Sequence, residues 1–485
     1  MFSGKMRFIA LAICVAAFSS GVFAQTEKSV RRFAANDNNV EWNGLFHDSF
    51  NAFYRSPFGA AVTGTTVNIK FRTFHLDVTA VYLKVYVLDP VTGVTTGPTE
   101  FPLSFSSTDG TYDFWQVNYI TPNVQRLVYY KFRVVDGTSQ AYYSDYYTSD
   151  HDNLGQGGDG AASSGEPFTA YQITNYKTNF ATPAWLANSA VYQIFPDRFR
   201  NGDITNDWCR NGGTTGCPSL YGAPFSSNII HTTWNERMSD PRQPPFNNNA
   251  YGSQFYGGDL KGVENKLDYI KGLGFDTIYF TPIFSARSNH GYDTDNYLQI
   301  APQLGGEAAY NSLLTAATSR GMRIILDGVF NHVSQDSVYM DYYHRYASDG
   351  GCESLSSTYR GWFTWNANTI PCFFTNYNGW FGFSGLPELT ENANVRDFIF
   401  RNPTDNVTKH WLNNGTSGYR FDVADNISHD WWNEYRGFAK SYKADAPLIG
   451  EIWYDSSAYL LGNELDSVMN YRFRKNVLGF VRGID

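Results

Sequence analysis

At 485 residues with 42% apolar side chains, the chain is long enough for two or three domains, each able to bury a core. A net charge of −9 with only 17% charged residues argues against nucleic acid or an anionic membrane surface as partner, since both require basic patches. Aromatic residues reach 17%, more than half of them Tyr or Trp, whose apolar faces and polar tips suit sugar stacking as well as core filling.

Residues 1–24 read as an export signal. Lys5 and Arg7 precede an apolar run, Phe8 to Phe18, that is too short to span a bilayer, and Val22-Phe23-Ala24 offers a cleavage site before Gln25. No later stretch is apolar for long enough to cross a membrane. Secretion to the extracellular space or periplasm places Cys209, Cys217, Cys352 and Cys372 in an oxidising compartment. Three pairings are open to them. The local pairs Cys209–Cys217 and Cys352–Cys372 are favoured over zinc binding, because neither has C-x₂-C spacing.

Residues 25–165 carry strand-like runs such as "VNIKFRTF", "VYLKVYVLD", "YDFWQVNY" and "LVYYKFRVVDG", with turns at Asp89-Pro90 and Asp136-Gly137. They predict an all-β sandwich. "NLGQGGDGAASSGE" follows as a linker or mobile loop. Residues 166–485 alternate strands with helices. The strands are "AVYQIFP", "DTIYFTP", "RIILDGVFNH", "GYRFDVA", "LIGEIW" and "SVMNY". Val263, Leu267 and Ile270 mark one helix face, "EAAYNSLLTAATSRG" a second helix, and Trp432, Tyr435, Phe438 and Tyr442 a third. Such units predict a parallel sheet, closed as a (β/α)8 TIM barrel with about six of eight βα units present. The rival is a doubly wound open sheet, disfavoured because no Gly-rich phosphate loop follows the first strand. About sixty residues, 333–392, form an inserted subdomain after the third strand.

Chemistry in a parallel barrel sits at the C-terminal strand ends. Asp327, Asn331 and His332 end the third strand, Arg420 and Asp422 the fourth, and Glu451 the fifth. A lone carboxylate here is as readily a structural ion pair, but Asp422 and Glu451 fall on neighbouring strands at the same end. That pair suits retaining glycoside cleavage, which needs a nucleophile and an acid roughly 5–5.5 Å apart. Arg420 is expected to keep Asp422 ionised, and the apolar neighbours Ile452 and Trp453 to keep Glu451 protonated.

"DGVFNH", "GYRFDVADNI" and "GEIW", with "AVYQIFPDRFRNGD" and "NHGYDTDNY", resemble the signature regions of the α-amylase family. "DVADNISHDWW" is most similar to the neopullulanase, maltogenic amylase and cyclomaltodextrinase branch, which also carries an N-terminal β-sandwich. The resemblance implies Asp422 as nucleophile, Glu451 as general acid/base and Arg420 as the residue that orients the nucleophile. It implies that His290 and Tyr292 hold and stack the sugar, that His332 hydrogen-bonds it, and that Asp327 and Asn331 support the site. "LPELT" (Leu386 to Thr390) resembles the branch's short signature but departs from its usual ending. A calcium site is implied at Asn201, Asp203, Asn206 and Asp207, joined by Gly257 and Asp259; oxygen donors of this kind suit calcium.

The resemblance also implies an Asp after a His at a seventh strand, which does not follow Glu451 here. Strands seven and eight are not found, so this polypeptide is expected to have little hydrolase activity by itself. The implied substrates are starch-like glucans, pullulan or cyclodextrins. Alternatives are a transglycosylase or isomerase of the family, and a starch-binding protein with a dead barrel. A homodimer is a further implication. "NVT", "NGT" and "NIS" at Asn406, Asn414 and Asn426 are glycosylation acceptors if the source is eukaryotic.

Overall fold

The computed structural model describes residues 36–146, 157–207, 219–220, 223–224, 234–235 and 255–483. The expected export signal and the expected Cys209–Cys217 pair lie outside them. No helix among the described residues is long and apolar enough to cross a membrane.

Alternation of apolar and polar residues builds the N-terminal sandwich. In Thr66–Phe74, Val67, Ile69 and Phe71 are wholly buried, while Asn68, Lys70 and Arg72 point the other way, as a strand's two-residue period requires. This strand pairs with Tyr112–Ile120 in a four-stranded sheet. The facing seven-stranded sheet is centred on Arg126–Asp136. Aromatic packing fills the space between, with Phe71 and Phe132 ring centroids 4.4 Å apart.

The sandwich runs past the boundary expected near residue 165. Gly160–Ser163, predicted as linker, pairs with Ser139–Asp145, and Tyr171–Tyr176 pairs with Arg126–Asp136. The first of these has only small side chains, so composition hides it. The second buries Tyr171, Ile173 and Asn175 at period two.

The second domain holds six parallel strands in chain order: β1 (Val191–Ile194), β2 (Thr277–Phe280), β3 (Arg323–Gly328), β4 (Gly418–Phe421), β5 (Leu448–Gly450) and β6 (Ser467–Val468). All residues of β2 and β4 are buried, as expected for strands covered on both faces. The stretch expected as one helix divides into α1 (Leu260–Glu264) and α2 (Leu267–Gly272), because Lys266 takes a non-helical φ of −115° and ψ of 7°. Val263, Leu267 and Ile270 are nevertheless all wholly buried. α3 (Gly306–Ser319), α4 (Val407–Asn413) and α5 (His429–Tyr442) cover the sheet. α5 turns Trp432 and Tyr435 fully inward, with Phe438 and Tyr442 at its margin. α6 (Tyr471–Arg482) follows β6.

The inserted segment is tied by a Cys352–Cys372 disulfide. "LPELT" returns the chain to the sheet: the Val333 N–H donates to the Pro387 carbonyl, and the Leu389 N–H to that of Asn331. Below the sheet, buried Asp466 accepts from Arg436 at 2.8 Å, from Lys440 at 2.6 Å and from the Leu448 N–H at 3.0 Å, clamping α5 to the start of β5. The two domains meet where Leu127, Tyr129 and Ala170 of the sandwich enclose Leu461 from the loop after β5.

Candidate active site

Strand register assembles the site. Asp327 of β3 lies beside Arg420 of β4, and Phe421 lies beside Gly450 of β5. Asp422 and Glu451, one residue past each strand, therefore emerge together at the same end of the sheet, where the Glu451 N–H donates to the Phe421 carbonyl. One guanidinium joins all three acids. Arg420 Nη1 lies 2.9 Å from both Asp327 oxygens and 3.0 Å from Asp422 Oδ1, while Nη2 lies 2.7 Å from Glu451 Oε2. All four residues are buried. Tyr279 of β2 donates to Asp327 Oδ2 at 2.6 Å.

Glu451 is unusually well solvated by protein. Beyond Arg420 it accepts from the Val423 N–H at 3.1 Å, Trp453 Nε1 at 3.2 Å and the Tyr471 hydroxyl at 2.9 Å. Val423 holds a φ of +39°, strained for a β-branched residue, and that turn aims its N–H at the carboxylate.

These contacts set the charges. Burial pushes the Glu451 carboxyl up, but Arg420 and the hydrogen bonds from Val423, Trp453 and Tyr471 outweigh it and hold the group below the usual glutamate range. Burial, then the charges of Asp327 and Glu451, push Asp422 well above the usual range despite Arg420. Burial likewise raises Asp327. These directions run opposite to the expected ones, in which Arg420 lowers Asp422 and apolar neighbours raise Glu451. The reason is donor count: three carboxylates share one cation, and Glu451 collects the extra neutral donors.

The remaining expected residues surround this cluster. Tyr292 is half-buried and feels the charges of Asp327, Arg420 and Asp422; its ring stacks on His290 at 5.8 Å. Burial holds His332 neutral, with its imidazole pushed down to about 4. Its Nδ1 meets Asn331 Nδ2 at 3.2 Å, and its buried Nε2 has no full hydrogen bond. Trp380 of the inserted segment stacks on His332 at 5.2 Å. Asn331 thus supports His332 rather than the carboxylates. Sequence reading missed Tyr279, Trp380, Met469 (Sδ 3.1 Å from Arg420 Nε) and Tyr471. Their only sequence signal was position: each falls at or just past a strand end or in the aromatic insertion.

The expected calcium ligands are also gathered. Asn201 Nδ2 donates to both Asp207 oxygens, at 2.9 and 3.0 Å, leaving Asn201 Oδ1 buried and without a partner. Asn206 Oδ1 is likewise buried and unpartnered. Gly257, at φ +74°, approaches so closely that an added Cβ would lie 2.5 Å from Asp207 Oδ1. Two orphaned amide oxygens beside a carboxylate fit an oxygen-liganded cation. Asp203 and Asp259 already hold donors of their own, and Asn206 Nδ2 donates to Asp259 Oδ2 at 3.3 Å. Asp203 Oδ1 accepts from Thr205, and Asp259 accepts from the Gly202, Asp203 and Gly262 N–H groups as the cap of α1. No cluster of three or more acidic, His or Cys side chains suited to a metal occurs among the described residues. Any cation here would depend on the amides.

Residues 193–483 match the α-amylase catalytic domain, and residues 45–158 the α-amylase N-terminal Ig-like domain. An amylopullulanase from Thermoanaerobacter thermohydrosulfuricus is 36% identical over 92% of this chain, which spans 30% of that relative's length. A cyclomaltodextrinase from Bacillus sp is 32% identical over 88% of this chain and 67% of its own. A solved cyclomaltodextrinase structure superposes with a TM-score of 0.54 at 28% identity, covering 91% of this chain and 66% of that one. With the signature carboxylates placed together and the catalytic-domain match spanning more than half of its length, the chain belongs to the α-amylase family.

Proposed function

We propose that this chain acts on α-1,4-glucosidic bonds of starch-like glucans, pullulan or cyclodextrins, as a retaining hydrolase. The names of its amylopullulanase, neopullulanase and cyclomaltodextrinase relatives support that substrate class. The observation that carries the reading is the attachment of Asp422 and Glu451 to one Arg420 guanidinium at the C-terminal sheet end.

In this reading Asp422 attacks the anomeric carbon as Glu451 protonates the departing glycosidic oxygen. Ionised Glu451 then takes a proton from water, which attacks the sugar–Asp422 ester and regenerates the free acid. The first half needs a proton on Glu451 and none on Asp422, a distribution that the Arg420 guanidinium 3.0 Å from Asp422 Oδ1 favours at the nucleophile. Tyr292 and the unfilled Nε2 of His332 suit stacking on, and hydrogen bonding to, the ring at the cleavage point. A fluorosugar that traps the covalent intermediate tests this directly. Mass spectrometry should find the label on the peptide carrying Asp422 in the parent and not in Asp422→Asn; labelling elsewhere would sink the retaining assignment.

Calcium belongs to the same reading as a structural ion held by Asn201, Asn206, Asp207 and the Gly257 backbone, neutralising the turn before α1. Export is supported by the leader-like residues 1–24 and by the Cys352–Cys372 bridge.

A further inference from the structure

The glycosidase reading assigns Glu451 two opposite duties, acid and then base, and the signature motifs supply Arg420, Val423 and Trp453 to hold its ionised form, but not the donor to Oε1 at 2.9 Å. The answer lies past β6. Asn470 caps α6 by accepting from the Phe473 N–H at 3.0 Å, and this fixes Tyr471 as the first helical residue. A side chain there leans back toward the helix start and so over the strand ends. Its hydroxyl donates to Glu451 Oε1 at 2.9 Å. The same turn is anchored a second time, where Arg472 Nη1 lies 3.4 Å from Asp455 in the loop after Glu451. Met469, two residues earlier, places its sulfur against Arg420 Nε at 3.1 Å. The Met469–Tyr471 segment thus touches both the acid and the cation of the cluster.

We propose that Tyr471 is a positioning residue for the acid/base: its hydroxyl fixes the Glu451 carboxylate and stabilises the ionised form that must activate water in the second half of the reaction. A phenol gives one hydrogen bond to the carboxylate and none of equal strength to the protonated acid, so it favours loss of the proton. Trp453 Nε1 supplies a weaker bond to the same oxygen at 3.2 Å. The other charged groups facing Glu451 are Arg420 on β4, Asp422 just past it, Asp327 on β3 and Asp425 in the turn after β4. Arg420 favours the carboxylate, and the three Asp residues oppose it. Tyr471 is therefore a neutral donor weighted against acidic neighbours. The direction found for Glu451 agrees, with Tyr471 among its causes.

This rests on the glycosidase reading for its purpose but not for its test. The Glu451 carboxyl carbon, labelled with carbon-13 and assigned through Glu451→Gln, is titrated by NMR in the parent, Tyr471→Phe and Trp453→Phe. Loss of one charge-assisted hydrogen bond should raise the Glu451 midpoint by ~1 unit in Tyr471→Phe and by less in Trp453→Phe. Thermal melts confirm that each variant folds. An unchanged midpoint in folded Tyr471→Phe overturns the inference. A raised midpoint in a protein that never accepts the fluorosugar upholds the inference and sinks the glycosidase reading alone. Where the parent does accept it, Tyr471→Phe should accumulate more labelled intermediate from a slow natural-type donor, because water activation is the step impaired.

Discussion

The two ends of β5 carry two buried charge clusters of opposite stoichiometry. At its start, one carboxylate, Asp466, receives two cations, Arg436 and Lys440, and a backbone N–H. At its far end, three carboxylates share the single guanidinium of Arg420. The first cluster satisfies every lone pair it can and holds elements together. The second leaves protons to be distributed among competing acids. The difference teaches how one strand serves two purposes: cation excess fixes structure at the bottom of the sheet, and acid excess keeps the top chemically unsettled.

The comparison is broken most severely by neutralising the acid/base. Glu451→Gln should lower maltodextrin turnover by ~10²–10⁴-fold, read as reducing ends released, with the thermal transition almost unmoved. Retained turnover would mean the upper cluster is structural like the lower one. The mirror experiment is Asp466→Ala, which takes the buried acceptor away from two half-buried cations and the Leu448 N–H. It should cost about 3–5 kcal/mol in urea unfolding while leaving fluorosugar labelling of the folded protein intact. A smaller effect concerns the turn 201–207, which carries Asp203 and Asp207. If its charge is balanced by a cation, calcium at a hundredfold over its Kd should stabilise chelator-treated protein by about 2.7 kcal/mol, and Asn206→Ala should abolish the gain.

The smallest effect has the opposite sign to the Asp466 result. Asp422 has a folded pKa raised above its ordinary 3.8, so the folded state keeps this proton after the unfolded state has lost it. Stability therefore falls as pH rises through that window, and the loss is complete only above the folded value. Asp422→Asn removes the titration and should stabilise the protein at pH 7 by about 0.5–2 kcal/mol, with a smaller gain near pH 4. Equal gains at both pH values would show that the acid excess carries no strain.

Much of this was legible beforehand. Six strands, their order and the pairing of Asp422 with Glu451 follow from hydrophobic runs and spacing. The period that buries Trp432 and Tyr435 is local to one helix. What the sequence concealed depends on three-dimensional neighbours. Tyr471 reaches Glu451 only because Asn470 starts a helix after β6, and nothing in "SVMNY" announces that. The opposite directions in which Asp422 and Glu451 are pushed were hidden because flanking residues were weighed, whereas the donors that hold Glu451 come from Val423, Trp453 and Tyr471. The sandwich boundary was placed early because Tyr171–Tyr176 follows a linker-like stretch and joins the sheet only through its pairing with Arg126–Asp136.

Leu461 sits wholly buried in a socket made by Leu127, Tyr129 and Ala170, and the Lys177 N–H donates to its carbonyl. Ten residues earlier on the same loop stands Glu451. The front module is thus a mooring for the far bank of the loop, and a graft with a different front module would inherit a slack rope unless it rebuilt that socket. Modularity in this chain ends where Leu461 begins.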